Sequence, residues 1–134
     1  MIMTFGENSF EETAVLNQSI QEIREQVQTA LQLVMGDSSP EMLDEMASIF
    51  LEDGQPLIEQ MKTGHLNHDF TAVSQAAHAL KGSSATIGLD QFANICLAVE
   101  TSSKQNEADG VGKYLATLEL AYGHIEKALA TFLL

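Results

Sequence analysis

The sequence predicts an all-α protein, an antiparallel four-helix bundle with an additional N-terminal or flanking helix. Two observations carry that expectation: apolar residues recur at steps of three and four through nearly the whole chain, and no stretch of any length alternates with the period of two that a half-buried strand requires. A third is that only short loops separate the helical patterns, so neighbouring amphipathic stripes can be buried only against one another.

Residues 1–10 read as a lead-in, and residues 11–134 as one bundle domain with no internal repeat or low-complexity linker. Leu16, Ile20, Ile23, Val27, Leu31 and Val34 form the first stripe, which Gly36-Asp37-Ser38 stops. A second helix opens with Ser39 as N-cap and Pro40 in the first helical position, and Glu41, Asp44 and Glu45 lie near the positive end of its dipole. It carries Leu43, Met46, Phe50, Leu57 and Met61 towards Gly64. Pro56 removes the bond to the carbonyl of Glu52, and with Gly54 nearby a bend is expected. Asn67 or Asp69 caps a third helix with the stripe Phe70, Val73, Ala77, Leu80, Ser84 and Ile87, ending at Gly88. A fourth begins near Asp90 and turns Phe92, Ile95, Cys96, Val99 and Ser103 inward, until Asp109-Gly110 breaks it. The last carries Val111, Leu115, Leu118, Tyr122, Ile125, Leu129 and Phe132.

Nineteen acidic residues against six basic ones give a formal charge of −13, with no basic block to engage nucleic acid or an anionic membrane. The apolar runs are too short to span a bilayer, and the amino terminus lacks the cationic start of a secretion signal, so the cytoplasm is the expected location. A lone cysteine, Cys96, agrees with a reducing compartment.

One stretch departs from core-building economy. In AAHALKGSSATIGL, residues 76–89, His78 falls about 130° from the centre of its helix's apolar stripe and should face outward. Gly82 lies one turn further on, Lys81 is on the flank, and Ser74 and Ala85 complete a surface of small side chains. A mid-helix glycine costs roughly 1 kcal/mol relative to alanine, which makes sense if a large partner must come close to the imidazole. An exposed imidazole, with a reference pKa of about 6.5, is largely neutral at pH 7 and keeps a nucleophilic lone pair. Lys81 beside it suggests a counter-charge for an anion, with a phosphoryl group as the natural candidate. Ser83 and Ser84 either take a direct part or are ordinary helix residues, Ser84 bonding back to the carbonyl of Leu80.

The run H-x-x-K-G-S-S from His78 to Ser84, then Gly88-Leu89, Cys96 and Val99-Glu100, resembles the histidine-containing phosphotransfer (HPt) domains of multistep phosphorelays. FLED at Phe50 to Asp53 and the acidic turn near Asp69 extend the resemblance over at least residues 40–105. The resemblance implies a four-helix bundle displaying a histidine that takes a phosphoryl group from the aspartyl phosphate of one receiver domain and passes it to another. It implies His78 as phospho-acceptor through Nε2, Lys81 as electrostatic aid and Gly82 as clearance for the receiver. Some members carry glutamine where Glu100 stands, supporting the histidine region; a carboxylate there could instead repel the phosphoryl group or point away.

The partners implied are response-regulator receivers or a hybrid histidine kinase, meeting a monomer. No nucleotide-binding signature is present, since DGVGK at Asp109 to Lys113 lacks the spacing of a phosphate-binding loop, so the chain is expected to be a carrier without its own ATP site. No cofactor and no metal site is expected in the chain itself, and the receiver is expected to bring Mg²⁺. His65, His68 and His124 are read as structural or solvated, although His65 and His68 could share a helix-end face and bind a metal weakly. The methionines read as core, with any surplus on the second helix as a docking patch. The competing function is a non-catalytic adaptor of the same fold that only docks receivers.

Overall fold

A computed structural model describes residues 15–134. The lead-in expected over residues 1–10, and its boundary at 11, lie outside the described residues. Five helices run through the described chain: α1 (Ile20–Met35), α2 (Pro40–Leu66), α3 (Phe70–Thr86), α4 (Asp90–Lys104) and α5 (Ala108–Ala130). No strand occurs among the described residues. Helices α2 to α5 form a four-membered ring in which each packs on its sequence neighbour and α5 closes against α2, while α1 flanks the bundle on α5.

Three connections of the same design turn the chain between the bundle helices. In each, the middle residue is left-handed: His68 at φ 56°, Gly88 at φ 85° and Asn106 at φ 56°. The residue after it donates its N–H to a carbonyl five positions back, Asp69 to Gly64, Leu89 to Ser84 and Glu107 to Ser102, at 2.8–3.0 Å. This closes the last turn of one helix and starts the next at once, so successive helices must run antiparallel. Only the middle turn needs glycine. A Cβ on Gly88 would sit 2.5 Å from Ala30 Cβ, because α1 crosses directly over this turn, whereas His68 and Asn106, both exposed, adopt the left-handed conformation with a side chain.

The core follows the expected stripes closely in α4 and α5, where every residue assigned inward is buried. Phe50, Phe92 and Tyr122 meet at its centre with ring centroids 6.0–6.4 Å apart. The first stripe is narrower than expected: Ile23, Val27 and Leu31 are buried, but Leu16, Ile20 and Val34 are exposed and Val15 is buried instead. Helix α1 lies outside the four-helix ring, packed on α5 and across the turn between α3 and α4, so its contact covers the middle of the stripe and not its ends. It begins at Ile20 because Ser19 and Glu22 form a reciprocal capping box. Asp69, not Asn67, caps α3 through the N–H of Ala72. Asp109-Gly110 is no break, since α5 already starts at Ala108; Gly110 instead lets α5 approach Ser102. Helix α2 is continuous through Pro56.

Candidate functional site

The side chain of His78 is 68% exposed on α3, and its Nδ1 lies 3.0 Å from Oε2 of Glu100 on α4. Glu100 is the reverse case, an acid only 6% exposed in its side chain. Its other oxygen accepts from Lys81 Nζ at 2.9 Å, and Lys104 Nζ reaches Oε2 at 3.1 Å. Burial acts to raise the carboxyl pKa, but the hydrogen bonds from Lys81, Lys104 and His78 outweigh it and hold Glu100 down at about 2. Glu100 is therefore ionised throughout the physiological range and can only accept hydrogen bonds. That assigns the histidine tautomer: the proton of the neutral ring belongs on Nδ1, and Nε2 carries the lone pair.

Helix geometry explains the convergence. Glu100 is four residues after Cys96 and three before Ser103, both buried, so it shares their side of α4, the side that meets α3. Lys104 follows Glu100 by one turn on the last turn of α4, where the helix dipole also favours a cation.

Gly82 is exposed, and among the described residues no atom lies within 4 Å of where its Cβ would be. Ala85 is exposed too, but Ser74 is not: it is buried and lines a cavity with Ser103 and Lys104. Four residues of helix advance the face by about 40° beyond a full turn. The line from Ser74 through His78 to Gly82 therefore swings from α4 out into the open, and Ser74 is not part of the exposed surface. Ser83 and Ser84 donate to the carbonyls of Ala79 and Leu80 at 3.2 and 2.6 Å, so both hydroxyls serve the helix. On the other flank, Met46, Ile49, Phe50, Asp53, Ser83, Thr86 and Ile87 line an open cavity of about 190 Å³, in the region of α2 where surplus apolar residues were expected.

The remaining histidines hold the scaffold. His65 and His124 lie 3.1 and 2.7 Å from the carbonyls of Ala108 and Gln18, and His68 meets the edge of Phe70. His65 and His68 are thus engaged separately rather than as a metal-binding pair, and no group of three or more His, Cys, Asp or Glu arranged for a metal occurs among the described residues. Burial pushes the Cys96 thiol up to about 12, against a weaker opposing hydrogen bond with Ser84, so it stays protonated and unreactive. Lys104 is the member of the site that the sequence analysis missed; the Glu-to-Lys step of four residues was the available signal.

Residues 45–129 match the Hpt domain family. The chain belongs to that family. It is 32% identical over 92 residues to histidine-containing phosphotransfer protein 1 of Oryza sativa subsp. japonica, covering 67% of this chain and 60% of the relative. It is 31% identical over 108 residues to histidine-containing phosphotransfer protein 2 of Arabidopsis thaliana, covering 77% of this chain and 65% of the relative. The chain thus spans less than two thirds of the length of these curated relatives. No solved structure matches it significantly. No helix among the described residues is long and apolar enough to cross a membrane.

Proposed function

We propose that this Hpt-family chain is a phosphoryl carrier: His78 accepts a phosphoryl group from the aspartyl phosphate of a receiver domain and hands it to another receiver. The observation that carries this reading is the pairing of an exposed imidazole with an ionised, buried Glu100 on Nδ1, which leaves Nε2 as the outward nucleophile. In the forward step the Nε2 lone pair attacks phosphorus in line. The Nε2–P bond forms as the bond from phosphorus to the aspartyl oxygen breaks, and that electron pair stays on the leaving carboxylate. Nδ1 keeps its proton, and the positive charge gathering on the ring faces the Glu100 carboxylate. Onward transfer reverses the step, with a new aspartyl oxygen forming the O–P bond and the pair returning to Nε2. Lys81, fixed on Oε1, adds positive potential beside the ring from a constant position. Ser83 and Ser84 take no part.

Gly82 and Ala85 give the receiver room, and the apolar cavity bounded by Met46, Ile49 and Phe50 offers it a foothold. Mg²⁺ belongs to the receiver, which also supplies most of the groups that neutralise the moving phosphoryl charge. The chain is a carrier rather than an enzyme with its own turnover, and it draws its phosphoryl group from partners instead of ATP.

Incubation with a receiver domain carrying labelled aspartyl phosphate tests this. Label should pass to the wild type as a phosphoramidate, lost in acid and stable in base. His78→Gln should accept none while its stability changes by no more than about 0.5 kcal/mol, the usual range for a surface substitution. Acid-labile label on the variant would move the site elsewhere. Receiver binding by the wild type without any transfer would establish the adaptor instead.

A further inference from the structure

The three donors on Glu100 are not equivalent. Lys81 has Oε1 to itself at 2.9 Å, and its side chain is 29% exposed. Lys104 shares Oε2 with Nδ1 of His78, at 3.1 and 3.0 Å, and is 65% exposed. We propose that Lys104 is a second phosphoryl-binding residue that changes partners during the transfer cycle, resting on Oε2 of Glu100 while His78 is free and moving to the phosphoryl oxygens once Nε2 is phosphorylated. Lys81 stays on Oε1 throughout. The proposal rests on the reading of His78 as phospho-acceptor.

Competition for one oxygen is the first argument. As Nε2 gives its lone pair to phosphorus the ring becomes more positive, so Nδ1–H becomes the stronger claimant on Oε2. At the same moment the phosphoryl oxygens arrive as a rival acceptor for Nζ. Cost is the second. An exposed ammonium leaves an ion pair at little expense because water replaces its partner, whereas removing Lys81 would strip the buried carboxylate of its most shielded counter-charge. Charge is the third. With neutral His78, one glutamate and two lysines make the free site net positive, and a phosphoryl group brings roughly −1.5 to −2. If both lysines remained on Glu100, the carboxylate and the phosphoryl group would confront each other across the ring. Moving Lys104 leaves each anion with a cation, and the flexible four-carbon stem on the last residue of α4 allows it. A carboxylate at position 100 is thereby compatible with a phosphorylated neighbour.

Phosphoramidate tests this without a receiver. Nε2 forms its bond to phosphorus as the P–N bond of phosphoramidate breaks, and the departing nitrogen leaves as ammonia with the proton it gains. At a fixed ratio of phosphoramidate to ammonia, the equilibrium ratio of phosphorylated to free protein reports how well the site holds the phosphoryl group. Lys104→Ala should lower that ratio about two- to fivefold, the range an exposed ion pair supports. Lys104→Arg should restore it. The deficit should shrink at 1 M salt, where the Debye length is only about 3 Å. The ³¹P resonance of phosphohistidine should also move in Lys104→Ala, a change that a merely structural lysine would not cause. A ratio and resonance unchanged in Lys104→Ala, with phosphohistidine still formed on His78, would overturn the exchange while leaving the phospho-acceptor intact. Acid-labile label on His78→Gln would overturn both.

Discussion

Gly54 and Gly82 are both glycines in helix interiors, where each costs roughly 1 kcal/mol relative to alanine, and their surroundings are opposite. A Cβ on Gly54 would lie 2.8 Å from Oη and 2.9 Å from Cε1 of Tyr122, whose ring fills the space from within the bundle. A Cβ on Gly82 would meet no described atom within 4 Å. The first glycine gives up helix stability for core packing, and the packing returns it. Nothing inside the described fold returns the cost of the second. Openness alone does not mark a docking face, because Gly123 on α5 is equally open. What distinguishes Gly82 is its position one turn beyond an exposed histidine that a buried carboxylate holds in one tautomer.

The largest expected effect follows from placing glutamine at Gly82. The fold should remain intact, and slightly stabilised by loss of the glycine penalty. Transfer from a receiver should nevertheless fall by about 100-fold or more, since even a 1 Å misplacement of reacting groups can cost that much. Phosphoramidate, which needs far less room, should still phosphorylate His78 at close to the wild-type rate, and Gly123→Gln should leave receiver transfer unchanged. Cooperative destabilisation of Gly82→Gln would instead make Gly82 a packing residue like Gly54.

The matched change at Gly54 should separate the two positions from the other side. Glutamine there must displace the buried Tyr122 ring from its contacts with Phe50 and Phe92, and overpacking of this kind costs roughly 1–3 kcal/mol. Chemical denaturation would measure it. Phosphorylation of the folded fraction by phosphoramidate should be unaffected. A stability equal to wild type would show that the core yields easily, and the contrast with Gly82 would lose its force.

The sequence made α4 and α5 legible almost residue by residue, because each lies against two other bundle helices and buries a wide stripe. Helix α1 buries fewer turns than its apolar pattern suggests, since it lies outside the four-helix ring and only its middle is covered, as Leu16, Ile20 and Val34 show. Asp109-Gly110 looked like a break because glycine is a turn signal, yet the turn comes earlier at Asn106, and no local pattern says which of two polar stretches takes the left-handed residue. At the site, the outward direction of His78 and the clearance at Gly82 were readable from one helix. Burial of Ser74 and the joining of Lys81, Lys104 and His78 on Glu100 were not, because they depend on how α4 is set against α3. That is a property of two helices, and a periodicity describes one.

The smallest expected effect concerns charge on the inward side of the same site. Glu100 has a folded pKa near 2, below the ordinary glutamate value of about 4.3, so its ionised form is favoured by folding. A depressed acid contributes stability that is complete above the unfolded pKa and is lost as pH falls through the folded one. The wild type should therefore lose part of its stability between about pH 4.5 and pH 2. Glu100→Gln has no carboxyl to protonate, so the difference in stability between the two proteins should narrow across that window. Glutamine keeps a carbonyl acceptor for one of the three donors, which limits the neutral-pH loss and isolates the charge. Denaturant titrations at closely spaced pH values would resolve the slope. A difference that stays flat down to pH 2 would mean that Lys81, Lys104 and His78 gain nothing from the charge, and the inward half of the site would then be shape alone, like Gly82 on its outward half.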